Sequence, residues 1–171
     1  GPSTGMPTRT QQSDILLCAY ASHGDTKHVI LIPSNPTECF EFSVMAFDLA
    51  DRLQTPVIIL SDLDIGMNDF STEEFNWDDK YSYDRGKVLS KKDLDEIENF
   101  GRYLDIDGDG IPYRTYPGSH PEKGAFFTRG SSHDEYAVYT EDGKVNARNM
   151  KRILKKHKTA SKLIPKPIIK S

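Results

Sequence analysis

Two short apolar runs on either side of one helix-sized segment constrain the fold more than anything else in this sequence. Val29-Ile30-Leu31-Ile32 is a continuous β-branched and aliphatic run that stops at Pro33, the pattern of a strand covered on both faces. Asn35-Pro36-Thr37-Glu38 follows. It supplies an N-cap, a proline at the first helical position and an acid at the third, three independent signals of a helix start. The helix is predicted to run to about Leu53, with Cys39, Phe42, Ala46, Leu49 and Leu53 at alternating spacings of three and four. Phe40, Val44 and Phe47 add a flanking stripe, so the apolar arc is wider than a one-sided surface helix needs. It is expected to pack against more than its own sheet. Thr55-Pro56 ends the helix, and Val57-Ile58-Ile59-Leu60 forms a second strand that stops at Ser61-Asp62. Strand, crossover helix and strand at this spacing make a parallel, right-handed β-α-β unit.

Around this unit the chain changes character. Gln11 to Ala21, carrying Ile15, Leu16, Leu17, Cys18, Ala19 and Tyr20, is predicted to be a buried helix. Residues 62–109 hold 15 acids against six bases, and only Lys91 to Phe100, with Leu94 and Ile97 on one side, has helical spacing there. Gly101 to Thr140 is rich in Gly, Pro, Tyr, His and Asp, and is expected to be a long ordered excursion that is functional or forms an interface. From Arg148 onward there are nine Lys or Arg and no acid, which leaves 13 basic against 26 acidic residues upstream. Met150, Ile153, Leu154 and His157 keep helical spacing inside that basic stretch. It therefore reads as a solvated helix face leading into a Pro-containing connector, Leu163 to Ile169, and not as a nucleic-acid arm. The expected division is 1–66 for the β-α-β part, 67–144 for the excursion, and 145–171 for the basic helix and linker. Both ends read as cut, since the first residue is glycine and the connector is expected to lead to another domain.

Composition excludes several classes. The chain has 171 residues, 36% of them hydrophobic and 28% charged, enough to bury a core without disulfides or metal. No apolar run approaches the roughly 20 residues of a membrane span, and no signal peptide opens the sequence. A soluble, cytoplasmic protein is expected. Cys18 and Cys39 are the two cysteines, too few for a zinc or iron–sulfur set, and read as buried free thiols.

Three stretches could carry chemistry. The opening loop, Gly1-Pro-Ser-Thr-Gly-Met-Pro-Thr-Arg-Thr10, places a planar guanidinium, Arg9, beside hydroxyls and just before a helix start, an arrangement suited to a carboxylate or phosphate. Asp105-Ile106-Asp107-Gly108-Asp109-Gly110 matches positions 1, 3, 5 and 6 of an EF-hand loop, making Asp105, Asp107 and Asp109 candidate metal ligands. Position 12 is Tyr116, not glutamate. The loop is therefore expected to be structural, its carboxylates offset by Arg102, Arg114 or N–H groups exposed by Gly108 and Gly110, with calcium binding as the alternative. Ser131-Ser132-His133-Asp134-Glu135-Tyr136, with His120 and His23 elsewhere, could supply a Ser/His/Asp or His/carboxylate set, but lacks the spacing of either.

Taken together, the opening loop, Glu38 to Asp62, Asp107 to Thr115 and Gly124 to Tyr136 resemble, in order, the alpha subunit of 2-oxoacid:ferredoxin oxidoreductases. The 2-oxoglutarate type is the most similar. The resemblance implies an α/β fold, part of a parallel-sheet, pyrimidine-type thiamine-diphosphate domain with an irregular excursion and a C-terminal helix and linker. It implies oxidative decarboxylation of a 2-oxoacid on thiamine diphosphate, acyl transfer to coenzyme A, and electron transfer through iron–sulfur clusters to ferredoxin. Arg9 resembles the group that pairs with the substrate carboxylate, with Thr8 beside it. The resemblance places the diphosphate, its Mg and the cluster cysteines on a beta subunit or elsewhere. It also places the family's Tyr-Pro-Ile-Thr-Pro motif and the acid that engages the aminopyrimidine ring upstream of Gly1. No catalytic residue and no bound cofactor is therefore expected on this chain alone.

Overall fold

The computed structural model describes residues 11, 13–22, 27–128 and 130–169. The chain divides into two compact units, Gly1–Asp84 and Arg85–Ser171. In the first unit the order is α1 (Ser13–Ala19), β1 (Val29–Leu31), α2 (Pro36–Leu53), β2 (Val57–Ile59) and α3 (Leu63–Met67). The second holds α4 (Lys91–Glu96) and α5 (Gly143–Ala160).

The β-α-β unit forms as its residues dictate. β1 and β2 pair in parallel with Val29 opposite Val57, Ile30 opposite Ile58 and Leu31 opposite Ile59. Asn35 Oδ1 accepts the Glu38 N–H at 2.9 Å, while Glu38 Oε2 accepts from the Ser34 N–H and hydroxyl at 2.7 and 2.8 Å. Orphan donors at the start of α2 are thus satisfied reciprocally. The bonds from Ser34 hold the Glu38 carboxyl below its ordinary range. Val29 and Leu31 are buried with Leu49 and Leu53 of α2, whose spacing of four puts them on one face. β2, by contrast, is only half-buried along its length.

Two expectations need correction. The helix predicted from Gln11 to Ala21 is shorter and has no buried residue; Leu16 and Leu17 are 67% and 66% exposed. A seven-residue helix against a three-residue strand has too little partner surface to cover its apolar side. Cys18 and Cys39 are free but half-buried. On α2, Phe47 is also 71% exposed, in keeping with an apolar arc wider than its own unit covers.

The irregular stretch before residue 84 is ordered by rings and one carboxylate. Phe75 stacks on Phe40 of α2 at 5.0 Å, and Trp77, Tyr81 and Tyr83 continue the series. Asp48 accepts from the Tyr81 hydroxyl and from the Asp84 N–H, and Arg52 pairs with Asp84 at 3.1 Å.

In the second unit, side chains substitute for regular secondary structure. Ser90 and Asp93 form a capping box on α4. The helix ends at Glu96, short of the predicted Phe100, because the Lys123 ammonium donates to the carbonyls of Leu94, Asp95 and Ile97 at 3.0, 3.3 and 2.9 Å. A cation bonded to the last carbonyls satisfies the orphan acceptors of a helix end. Gly110, at φ +84°, lies directly on α5; a Cβ there would meet Lys156 N at 2.4 Å and the Arg152 carbonyl at 2.7 Å. Only glycine allows that approach. Gly110→Ala should therefore cost about 2–4 kcal/mol, from a left-handed residue combined with overpacking. Urea unfolding should show a lower midpoint with an unchanged slope; a shift under about 0.5 kcal/mol would refute the contact.

Candidate functional site

The parallel pair places a cleft of about 200 Å³ at the carboxyl ends of its strands, the edge at which open α/β sheets bind ligands. Ile32 and Pro33 after β1, and Leu60, Ser61 and Asp62 after β2, form one side; Gln11, Asp14 and Ile15 form the other. The Leu60 N–H donates to the Leu31 carbonyl at 2.9 Å and closes the floor. Asp62 is fixed as the N-cap of α3, accepting from the Ile65 N–H at 2.8 Å. Gln11 donates to Asp14 Oδ1 at 2.9 Å and holds that carboxyl below its usual range. The cleft thus presents two carboxylates, an amide, a hydroxyl and apolar walls. No cation lines it among the described residues.

Arg9, Thr8 and the rest of the opening loop lie outside the described residues, as does His23. Asp14 was not singled out from the sequence, which carries no signal that its side chain meets the strand ends.

The Asp105 loop is occupied by the chain's own cations. Lys87 Nζ stands 2.6 Å from Asp107 Oδ2, 2.9 Å from Asp109 Oδ2 and 3.0 Å from the Ile111 carbonyl. Asp105 accepts the Gly110 N–H at 2.9 Å and pairs with Lys155 at 3.5 Å. Asp109 Oδ1 also accepts the Ile111 N–H. The offset expected from Arg102 and Arg114 is therefore supplied by Lys87 and Lys155, together with the N–H groups of Gly110 and Ile111. An ammonium at the centre of the carboxylates repels a divalent ion and uses the oxygens such an ion needs. Among the described residues no group of three or more His, Cys, Asp or Glu is assembled for a metal.

The histidine stretch is committed to local structure. Asp134 Oδ1 accepts the N–H groups of Tyr136 and Val138 at 2.9 Å, closing a turn. His133 stacks on Tyr103 at 4.0 Å, and Glu135 pairs with Arg148 at 2.7 Å. His120 accepts the N–H groups of Glu122 and Lys123 and pairs with Asp95. These residues do not converge on a reacting centre.

The family described as pyruvate flavodoxin/ferredoxin oxidoreductase, thiamine diphosphate-binding, matches residues 1–158. The chain belongs to this family. It is 33% identical over 168 residues to the alpha subunit of 2-oxoacid:ferredoxin oxidoreductase 1 of Sulfurisphaera tokodaii, covering 96% of this chain and 25% of that protein. Over 65 residues, 38% of this chain and 17% of the relative, it is 48% identical to the 2-oxoglutarate synthase subunit KorA of Methanothermobacter marburgensis. The chain thus spans about a quarter of the length of the first of these relatives. A solved 2-oxoglutarate:ferredoxin oxidoreductase from Magnetococcus marinus shares the fold, with a TM-score of 0.79 at 24% identity over 97% of this chain and 27% of that one. The fold class expected from the sequence, part of a parallel-sheet thiamine-diphosphate-binding domain, is the one found.

The cleft's donor set fits one end of such a cofactor. Carboxylate, amide and hydroxyl oxygens of Asp14, Asp62, Gln11 and Ser61 would accept from the amino group of a pyrimidine ring, and the apolar walls would suit its face. Two carboxylates without a cation repel a diphosphate.

The ion cluster predicts a plateau in stability. Burial alone would lower the Lys87 value, but the bonds to Asp107 and Asp109 outweigh it and raise it above 10.5; the bond from Lys87 holds Asp107 below 3.8. The Lys87 contribution is complete below about pH 10.5 and lost as pH rises through the raised folded value. The Asp107 contribution is present above about pH 3.8 and lost as pH falls through the lowered one. Calorimetric titration with calcium should give a Kd no tighter than about 10⁻⁴ M. Micromolar binding abolished by Asp107→Asn would show that a metal displaces Lys87.

Proposed function

We propose that this chain is part of the alpha subunit of a 2-oxoacid:ferredoxin oxidoreductase of the 2-oxoglutarate type, and that it contributes the substrate-side wall of the active site. The observation that carries this reading is the cleft at the carboxyl ends of β1 and β2, in a chain of the thiamine-diphosphate-binding family. The similarity to alpha subunits of 2-oxoacid:ferredoxin oxidoreductases and to KorA supports it.

The cleft's charge says what a dicarboxylic substrate requires there. Asp14 and Asp62 repel any substrate carboxylate, so a cation has to be supplied. Arg9 stands two residues before Gln11 in the sequence, and its guanidinium pairs with a carboxylate in bidentate fashion. The resemblance to the alpha subunits implies Arg9 as the group that pairs with the substrate carboxylate, with Thr8 beside it in the sequence. Thiamine diphosphate supplies the electron sink for decarboxylation when bound. The oxygens of Gln11, Asp14, Ser61 and Asp62, which line the cleft, would accept hydrogen bonds on its ring side.

The diphosphate and its Mg belong to a beta subunit in this reading, and the iron–sulfur clusters lie elsewhere in the enzyme. Coenzyme A is the acyl acceptor, ferredoxin the electron acceptor and the cytoplasm the setting. Among the described residues no helix is long and apolar enough to cross a membrane. Residues 1–66 provide the site, 67–144 the subunit interface and 145–171 a link to a further domain. The calcium-binding alternative is disfavoured by Lys87, which stands where the ion would.

The test is Arg9→Ala in the assembled enzyme. Removing a charge-assisted bidentate contact should lower kcat/KM for 2-oxoglutarate by about 2–4 kcal/mol, on the order of 30- to 1000-fold, with Tm unchanged. An unchanged kcat/KM, or a large fall in Tm, would make Arg9 a structural loop residue.

A further inference from the structure

A second cleft, of about 320 Å³, lies along α5 in the unit Arg85–Ser171. Its size is within the range of small-ligand pockets. Four cations line it, Arg148, Lys151, Arg152 and Lys155, against two carboxylates, Asp105 and Glu135. Both carboxylates are already neutralised, Glu135 by Arg148 at 2.7 Å and Asp105 by Lys155 at 3.5 Å. The remaining positive charge sits on Lys151 and Arg152.

Arg152 is where this charge becomes costly. Its Nη1 donates to the Gly110 carbonyl at 3.1 Å, but its Nε is buried with no hydrogen-bond partner. Arg102 Nη1 is likewise buried and unpartnered. Both guanidinium groups lie over the Tyr103 ring, at 5.1 and 6.0 Å, a favourable but incomplete compensation. Lys156 follows on the same helix, its ammonium pushed down to about 8 by burial and then by Arg152 and Arg102. Three partly buried cations repel one another, and an anion in the cleft beside Arg152, the one of the three that lines it, would offset that repulsion. Burial and then Arg102 hold the Arg152 value down, against the opposing pull of Asp105 and Tyr103.

We propose that this cleft binds a phosphate group, free or as the phosphate ester of a small molecule, with Arg152 and Lys151 as its principal donors. A tetrahedral dianion accepts from several N–H groups at once, which suits a planar guanidinium beside an ammonium, and Arg152 is anchored in place by its bond to the Gly110 carbonyl. This site is separate from the cleft at the ends of β1 and β2, and its failure would leave the substrate-side reading untouched.

The experiment titrates the full chain with inorganic phosphate and with ADP by calorimetry, at ionic strength matched with chloride. Lysine side-chain NMR follows Lys156 in parallel. Saturable binding of one phosphate per chain is expected, with the Lys156 midpoint rising from about 8 as the anion offsets its neighbours. Lys151→Gln, an exposed position, and Arg152→Gln should each weaken binding about tenfold or more. The first should leave Tm unchanged, so the test stands even if the second variant fails to fold. Tighter binding of ADP than of phosphate would identify an ester as the ligand; equal binding would identify the free anion. The proposal is overturned by three results: no heat beyond the chloride control, binding indifferent to Lys151→Gln, or displacement of phosphate by an oligoglutamate peptide that binds more tightly than ADP.

Discussion

Lys87 Nζ, 2.6 Å from Asp107 and 2.9 Å from Asp109, lets a segment with little regular secondary structure hold one conformation. Three carboxylates within five residues repel one another, and a cation from 20 residues upstream, helped by Lys155 and by the N–H groups of Gly110 and Ile111, offsets that repulsion. With the loop closed, Gly110 comes against the backbone of α5, Arg152 bonds to its carbonyl, and Thr159 donates to the Asp109 carbonyl at 2.6 Å. The basic helix is thereby docked. A loop that resembles a calcium site in sequence is, in structure, an internal ion pair that fixes a helix.

The unit Gly1–Asp84 rests on a different principle. Its parallel strands are three residues long, and what they contribute is an edge: the chain leaves both strands at the same end and there forms the cleft of Gln11, Asp14, Ser61 and Asp62. The charge of that cleft divides the labour in the proposed enzyme. In the proposed reading its oxygen acceptors suit the ring side of the cofactor, while the substrate carboxylate calls for a cation. The exposed apolar residues of α1 and Phe47 of α2 are the kind of surface a multi-subunit assembly covers.

What could be read from the sequence follows the range of the interactions. The start of α2 was legible because Asn35, Pro36 and Glu38 act within four residues of one another, and the strands because Val29–Leu31 and Val57–Ile59 are apolar runs closed by turn residues. The end of α4 was not legible, since it is set by Lys123, about 27 residues away. The partner of the Asp105 loop was misassigned for the same reason: Arg102 and Arg114 are near in sequence, whereas Lys87 and Lys155 are near in space. The exposure of α1 was missed because periodicity reports an apolar face and not what covers it. The family resemblance was legible throughout, as four separated motifs in order. The role proposed for Arg9 rests on that resemblance.

The central claim is that these residues form one wall of a 2-oxoacid-oxidising site that is completed by another subunit. The most direct measurement is 2-oxoglutarate- and coenzyme A-dependent reduction of ferredoxin, made with the purified 171-residue chain and with the assembled enzyme in the presence of thiamine diphosphate and magnesium. The account predicts no turnover by the chain alone, because in the proposed reading the groups that hold the diphosphate and carry the electrons lie on other parts of the enzyme, and turnover by the assembled enzyme. Turnover by the isolated chain, or an assembled enzyme inert toward every 2-oxoacid, would contradict it.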